Sequence, residues 1–151
     1  MTYLWNWMIM LVLMASAMSV SAKDNLPVDT LHFVNDTIRQ YCMKSKVDTN
    51  KDGVISVEEA RACKRLTLVD YRNAVRSIRS YDDLQHFPNL EYLHVGKSQA
   101  DTIDLRHCRQ LMELDLRDCR VLKAIILPRG CKVAVYSPLH FNGEPVNVIY
   151  R

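Results

Sequence analysis

The first 22 residues contain no Lys, Arg, Asp or Glu, and the chain as a whole contains no G-x-S-x-G, no H-E-x-x-H and no glycine-rich phosphate loop. The second set of absences removes the nucleophile elbow, the zinc-hydrolase helix and the nucleotide cradle. His107-Cys108 does not replace them, because neighbours along a strand point to opposite faces and cannot share a proton there. The sequence is therefore read as that of no enzyme. A formal charge of +3 says little about partners. With 48% apolar and 25% charged residues in 151, the composition is that of an ordinary single globular domain.

The uncharged start has an apolar centre from Met8 to Met14 and ends in the small residues Val20-Ser21-Ala22, the pattern a signal peptidase reads. Residues 1–22 are expected to be a signal peptide cleaved after Ala22, giving an exported protein that is periplasmic, at the cell surface or secreted, with no transmembrane span after cleavage. A positively charged n-region is missing, and the apolar run approaches the ~20 residues a span needs, so an uncleaved anchor is the alternative. No cysteine stands at the cleavage point, which gives a lipid anchor no support.

The most specific stretch is Asp48–Glu59, DTNKDGVISVEE. A hard cation such as calcium takes six to eight oxygens, supplied in an EF-hand loop from positions 1, 3, 5, 7, 9 and 12 with glycine at 6. Those positions hold Asp48, Asn50, Asp52, Val54 through its carbonyl, Ser56 and Glu59, with Gly53 at the turn. The expected cofactor is Ca2+. An Asp/Asn/Gly surface turn is the plain alternative. Ala60 follows Glu59 where sensor proteins carry a large apolar residue, which argues against an opening switch. Ile55, at position 8, is where two such loops pair, so a calcium-linked homodimer is one expected partner arrangement.

Leu31, Val34, Ile38 and Tyr41 or Cys42 follow a helix-capping Asp29 or Thr30 at spacings of three and four, predicting an entering helix. Val57 and Ala60 predict a short exit helix running to about Cys63. Beyond Lys64, Ile78, Tyr81, Leu84, Phe87, Leu90 and Leu93 recur every third residue, which fits tight turns that each deliver one apolar side chain inward. Leu90-x-x-Leu93-x-Val95 returns 21 residues later as Leu111-x-x-Leu114-x-Leu116 and runs on to Cys119, the leucine-rich-repeat pattern. Ile103 and Leu105 return as Ile125 and Leu127, and Leu66/Leu68 and Val133/Val135 suggest a first and last strand. Asn142-Gly143 reads as a hairpin turn, with Val146, Val148 and Tyr150 as an edge strand.

The fold expected is α+β, an N-terminal EF-hand helix-loop-helix capping a short leucine-rich-repeat β-solenoid. Its parts are the signal peptide (1–22), the EF-hand (23–63), the solenoid (64–136) and a C-terminal capping tail (137–151). The five cysteines are read as structural: Cys119 satisfies backbone groups at a turn, and Cys108 and Cys131 fall at strand exits. A Cys42–Cys63 bridge across the loop is the other reading.

DTNKDGVISVEEA followed by IRSYDDLQHFPNLEYL, and then LEYLHVGKSQADTIDLRHCRQLMELDL, resembles exported leucine-rich-repeat proteins of Bacteroides-type bacteria with an N-terminal EF-hand calcium loop. The resemblance covers roughly Val28 to Val135. It implies export, calcium at the loop and a binding or adhesive surface, with no chemistry common to the family. The chain departs from it in an extra basic stretch, VDYRNAVRS, and in having few repeats.

Arg61, Lys64, Arg65, Arg72, Arg76 and Arg79 form a basic cluster that could meet a polyanion such as lipopolysaccharide, an acidic glycan or nucleic acid; a solvated face is the plain alternative, and without the interleaved aromatics that base stacking needs no nucleic acid is expected. Three Asp-Thr-Leu/Ile triplets match a short O-glycosylation pattern. The function expected is a calcium-binding exported protein whose loop stabilises an interaction surface for a protein or glycan ligand. The alternatives are a calcium-dependent accessory or enzyme of polysaccharide or protein breakdown, and a calcium-linked dimerisation module.

Overall fold

The computed structural model describes residues 29–69, 78–136, 140–141 and 144–151. The signal-peptide reading, Arg72 and Arg76, and Asn142-Gly143 lie outside the described residues.

The chain enters extended. The Leu31 amide donates to the Ile55 carbonyl (2.8 Å) and the Val57 amide to the Asp29 carbonyl (2.9 Å), bridging Thr30 to Ser56. Helix α1 then spans Asp36–Lys44 and buries Ile38, Tyr41 and Cys42 along one side, as the 3.6-residue period requires. Its start is not Asp29 or Thr30. Asn35 caps it by accepting from the Thr37 amide, and the buried Asp83 carboxylate takes the Val34 and Asn35 amides at 2.8 Å each. Val34, expected on the apolar stripe, is consequently 83% exposed. Helix α2, Val57–Ala62, starts at a capping box in which Ser56 and Glu59 satisfy each other's amides. It ends where Cys63 turns extended and leads into β1, Arg65–Leu68.

The every-third-residue run folds into tight turns around a 3-10 helix, Asp82–His86. Amides of Leu84, Phe87 and Leu90 donate to carbonyls of Tyr81, Leu84 and Phe87, so each bond spans three residues, the 3-10 repeat. Ile78, Tyr81, Leu84, Phe87, Leu90 and Leu93 are all buried.

From there the chain alternates between two parallel sheets. Strands β2 (Tyr92–Gly96), β4 (Glu113–Arg117) and β6 (Ala134–Tyr136) join β1 in the order β1-β2-β4-β6. Strands β3 (Thr102–Asp104), β5 (Ala124–Leu127) and β9 (Asn147–Tyr150) form the second sheet in the order β3-β5-β9. A small antiparallel hairpin, β7 (His140–Phe141) with β8 (Glu144–Pro145), precedes β9. Rows of apolar side chains follow from the register. Leu66, Leu93, Leu114 and Val135 align across one sheet, Leu68, Val95 and Leu116 two residues on, and Ile103, Ile125 and Val148 across the other. One hydrophobic cluster runs from Ile38 to Leu127, with Val148 against it.

These features correct the expected architecture. The structure is mostly parallel-strand sheet with two helices among the described residues, and neither an EF-hand helix-loop-helix nor a leucine-rich-repeat solenoid is evident. The physical reasons are local. Helix α1 stops three residues short of Asp48, where Lys46 adopts a left-handed φ of 62°. Helix α2 has only 6 residues, too few for a flanking helix of its own stability. The repeat pattern occurs around β2 and β4 alone, complete to its Cys only in the second, which makes two copies where stacking arrays need at least three.

Candidate metal loop and the exposed sheet face

The loop between the helices is built by side chains that take its own amides. The Gly53 amide donates to Asp48 Oδ2 (3.1 Å), the Asp52 amide to Asn50 Oδ1 (3.0 Å) and the Val54 amide to Asp52 Oδ1 (2.9 Å), while Asn50 Nδ2 donates to Asp52 Oδ2 (2.8 Å). Gly53 has φ +88°, which favours glycine. Glu59 closes the loop. Its Oε1 accepts from the Thr49 amide (2.7 Å) and hydroxyl (2.9 Å), and its Oε2 from the Ser56 amide (3.0 Å) and hydroxyl (2.9 Å). Burial raises the Glu59 pKa, but the bonds from the Ser56 and Thr49 amides and hydroxyls outweigh it and bring the carboxyl down to about 2.

Asp48, Asn50, Asp52, Val54, Ser56 and Glu59 thus lie on one continuous turn. They are not drawn into a shared cage: among the described residues, no group of three His, Cys, Asp or Glu side chains that could hold a metal converges. The donor set, three carboxylates with amide, hydroxyl and backbone oxygens, suits a hard cation by its chemistry. One atom fits it directly. Asp48 Oδ1 is shut off from solvent with no hydrogen-bond donor, while Oδ2 of the same carboxylate is held by Gly53. Glu59 fits less simply, because both its oxygens are already satisfied and would have to release donors to act as a bidentate ligand.

Ile55 is 2% exposed and its carbonyl is taken by Leu31. The edge through which two loops would pair is occupied by the chain's own residues 29–31.

The second feature is the outward face of the β1-β2-β4-β6 sheet. Thr67, His94, Asp115 and Tyr136 align in one row across four strands. Asp115 accepts from Arg117 Nε (3.2 Å) and Nη2 (2.9 Å). His94 Nε2 lies 3.7 Å from Asp115 Oδ2, beyond hydrogen-bond reach, and is buried without a partner. Desolvation lowers the His94 pKa; Asp115 opposes that shift and Arg117 adds to it. In the adjoining row Arg65 stacks over the Tyr92 ring at 4.8 Å. Sequence reasoning missed His94 and Asp115, although each stands between two inward-facing leucines or valines and so must point outward.

The cysteines are free thiols. Burial pushes Cys42 and Cys108 up to about 12, far from the thiolate a nucleophile needs. The thiols of Cys63, Cys108, Cys119 and Cys131 point at the backbone carbonyls of Arg65, Leu84, Arg117 and Arg109 respectively. No described helix is long and apolar enough to cross a membrane. Comparison with protein-family models, curated proteins and solved structures finds no match for this chain.

Proposed function

We propose that the protein is an exported, calcium-braced binding protein. Its loop, Asp48–Glu59, takes one Ca2+, and the outward face of the β1-β2-β4-β6 sheet meets a protein or glycan ligand. The observation that carries the calcium reading is the orphaned Asp48 Oδ1. A buried carboxylate oxygen without a donor is costly, and a cation is the partner that removes the cost. Asp48, Asn50, Asp52, Ser56, Glu59 and the Val54 carbonyl would hold the ion, whose chemistry is structural: a divalent charge that offsets clustered carboxylates. Extracellular sites of this class bind at ~0.1–1 mM. At ~1 mM calcium and a Kd of ~0.1 mM, stabilisation is RT ln 11, about 1.4 kcal/mol.

The ligand-binding part rests on the face itself. Arg65, Tyr92, Glu113 and Tyr136, the last 56% exposed, present aromatic and charged groups side by side on a rigid sheet, the residue types that anchor interfaces. Two measurements test the reading. Calorimetric titration of calcium into the chain from Lys23 onward is expected to give one site and a raised melting temperature, and no heat with an unchanged melt would refute it. Glu113→Arg is expected to abolish capture of a cell-surface ligand without lowering the melting temperature. Unchanged capture would remove the sheet face from the binding role.

A further inference from the structure

We infer that a second, anion-binding site lies in the cleft between the β3–β4 and β5–β6 connections, and that it takes a ligand carrying two or more phosphate or sulfate groups. The cleft has a volume of about 400 Å³ and is lined by Arg106, Arg109, Arg129 and Arg151 together with Pro128, Gly130 and Cys131. Four arginines line one small space, and no Asp, Glu or aromatic side chain is among the lining residues.

Some basic side chains elsewhere in the chain are paired. Arg39 is bound to Asp36, Lys64 to Glu91 and Arg117 to Asp115. Within the cleft only Arg106 has such a partner, Asp104 at 2.6 Å. Arg109, Arg129 and Arg151 have no carboxylate within ion-pair distance among the described residues. Backbone bonds hold their stations: the Arg129 amide donates to the Arg151 carbonyl (3.0 Å), the Arg151 amide to Leu127 (3.0 Å), and the Cys131 thiol to the Arg109 carbonyl (3.2 Å). Arginine side chains kept together on tied backbone repel one another, and an anion between them turns that repulsion into attraction.

The lining also selects the kind of anion. Guanidinium forks match planar or tetrahedral oxyanions two donors at a time. Without an aromatic platform the cleft offers nothing for a base or the apolar face of a sugar ring to stack on, and no Asp or Glu side chain lines it to accept from neutral hydroxyls. Its volume lies within the ~300–1,000 Å³ of small-molecule sites, more than one tetrahedral group fills. The neighbouring groove shares Arg109 and Cys131 and adds Lys132. Its one acid, Glu91, is engaged by Lys64, which extends the positive track for a second or third charged group.

The test is calorimetry on the intact mature chain in EDTA, so that the calcium loop plays no part, with sodium tripolyphosphate as the probe at 50 and 300 mM NaCl. Expected are one site at low salt, weakening at high salt, and orthophosphate binding at least tenfold more weakly. Arg129→Gln and Arg151→Gln should each weaken tripolyphosphate about tenfold, the loss of one charge-assisted fork. Arg120→Gln, on the β4–β5 connection at the opposite edge, should change nothing, and a melting curve for each variant confirms that it is folded. A heparin-derived hexasaccharide that competes identifies a sulfated glycan as the source of the anion, and one that does not identifies an oligophosphate. Absence of binding at 50 mM, or equal weakening by Arg120→Gln, overturns the site in favour of diffuse surface charge.

Discussion

Asp48→Asn separates a cation site from a self-satisfied turn, because the two readings predict opposite signs in the absence of calcium. In the wild type one carboxylate oxygen accepts from Gly53 and the other is buried with no donor. An unsatisfied buried acceptor costs about 1–3 kcal/mol, more if charged. Asparagine retains an oxygen for the Gly53 amide and removes the charge from the orphaned position. In EDTA the variant should therefore be at least as stable as the parent, by up to about 1 kcal/mol, or ~3–5 °C in a chain of this size. Calcium then reverses the order. At ~1 mM the parent gains about 1.4 kcal/mol, and the variant, having lost its first ligand, gains almost none. The assay is thermal unfolding followed by circular dichroism, for both proteins in EDTA and in calcium. If Asp48→Asn melts lower in EDTA and the parent ignores calcium, the loop is held by its internal hydrogen bonds alone and the cation reading fails.

Glu59→Gln behaves differently, since Glu59 closes the loop and completes the capping box with or without a cation. It should lower stability by about 1 kcal/mol even in EDTA. The Glu59 pKa is depressed in the folded state, from 4.5 to about 2, so its contribution is fully present above pH ~4.5 and is lost as pH falls toward 2. Acid melting curves should show that loss in the parent and a smaller slope in Glu59→Gln; equal slopes would place the acid sensitivity elsewhere. Gly96→Ala would set a Cβ 2.8 and 2.9 Å from the two methyls of Val69, and a β-branched neighbour cannot swing away freely. A loss of about 1–3 kcal/mol is expected, recovered in part by Val69→Ala, and additive losses in the double mutant would disprove the clash. Phe87→Ala empties a fully buried position at the end of the 3-10 turn and should cost about 3–5 kcal/mol in chemical denaturation. A cost under 1 kcal/mol would mean that the turn is not part of the core.

Much of the chain's local structure was legible because the relevant periods are short. The spacing of three from Ile78 to Leu93 announced tight turns, though not their 3-10 form, and Leu66/Leu68, Ile103 and Ile125 announced strands, since in each case one residue's burial follows from its neighbours' spacing. The assembly was not legible in the same way. Leu31 and Val34 fit a helical stripe, yet the segment is extended, because Asp83, 48 residues from Asn35 in sequence, captures the two amides that a longer helix would have used. Reading two repeat copies as a solenoid extended a local pattern beyond the strands that carry it. At the loop, residue types and spacing nominated six ligand candidates, but did not show the hydrogen bonds that already satisfy Glu59. The cleft arginines escaped notice because Arg106, Arg109, Arg129 and Arg151 come from three separate segments that only the parallel sheets bring together.

The pairing of the loop with residues 29–31 also decides where calcium stabilisation would be felt. Ile55 is buried in the common core and bonded to Leu31, so tightening the loop tightens the entering segment rather than a second molecule. On its other side the loop is continuous with α2, whose Arg61 carbonyl accepts from Asn89 Nδ2 (3.0 Å). The next carbonyl to be engaged, that of Lys64, accepts the amides of both Glu91 and Tyr92 (2.8 and 2.9 Å), which sets the register between β1 and β2. A cation at Asp48–Glu59 would therefore act on the edge of the sheet whose outward face carries Tyr92 and His94. Amide exchange separates this from dimerisation. Calcium should slow exchange at Leu31, Val57 and Tyr92 at any protein concentration, whereas protection that grows with concentration would show that the loop is completed by another chain.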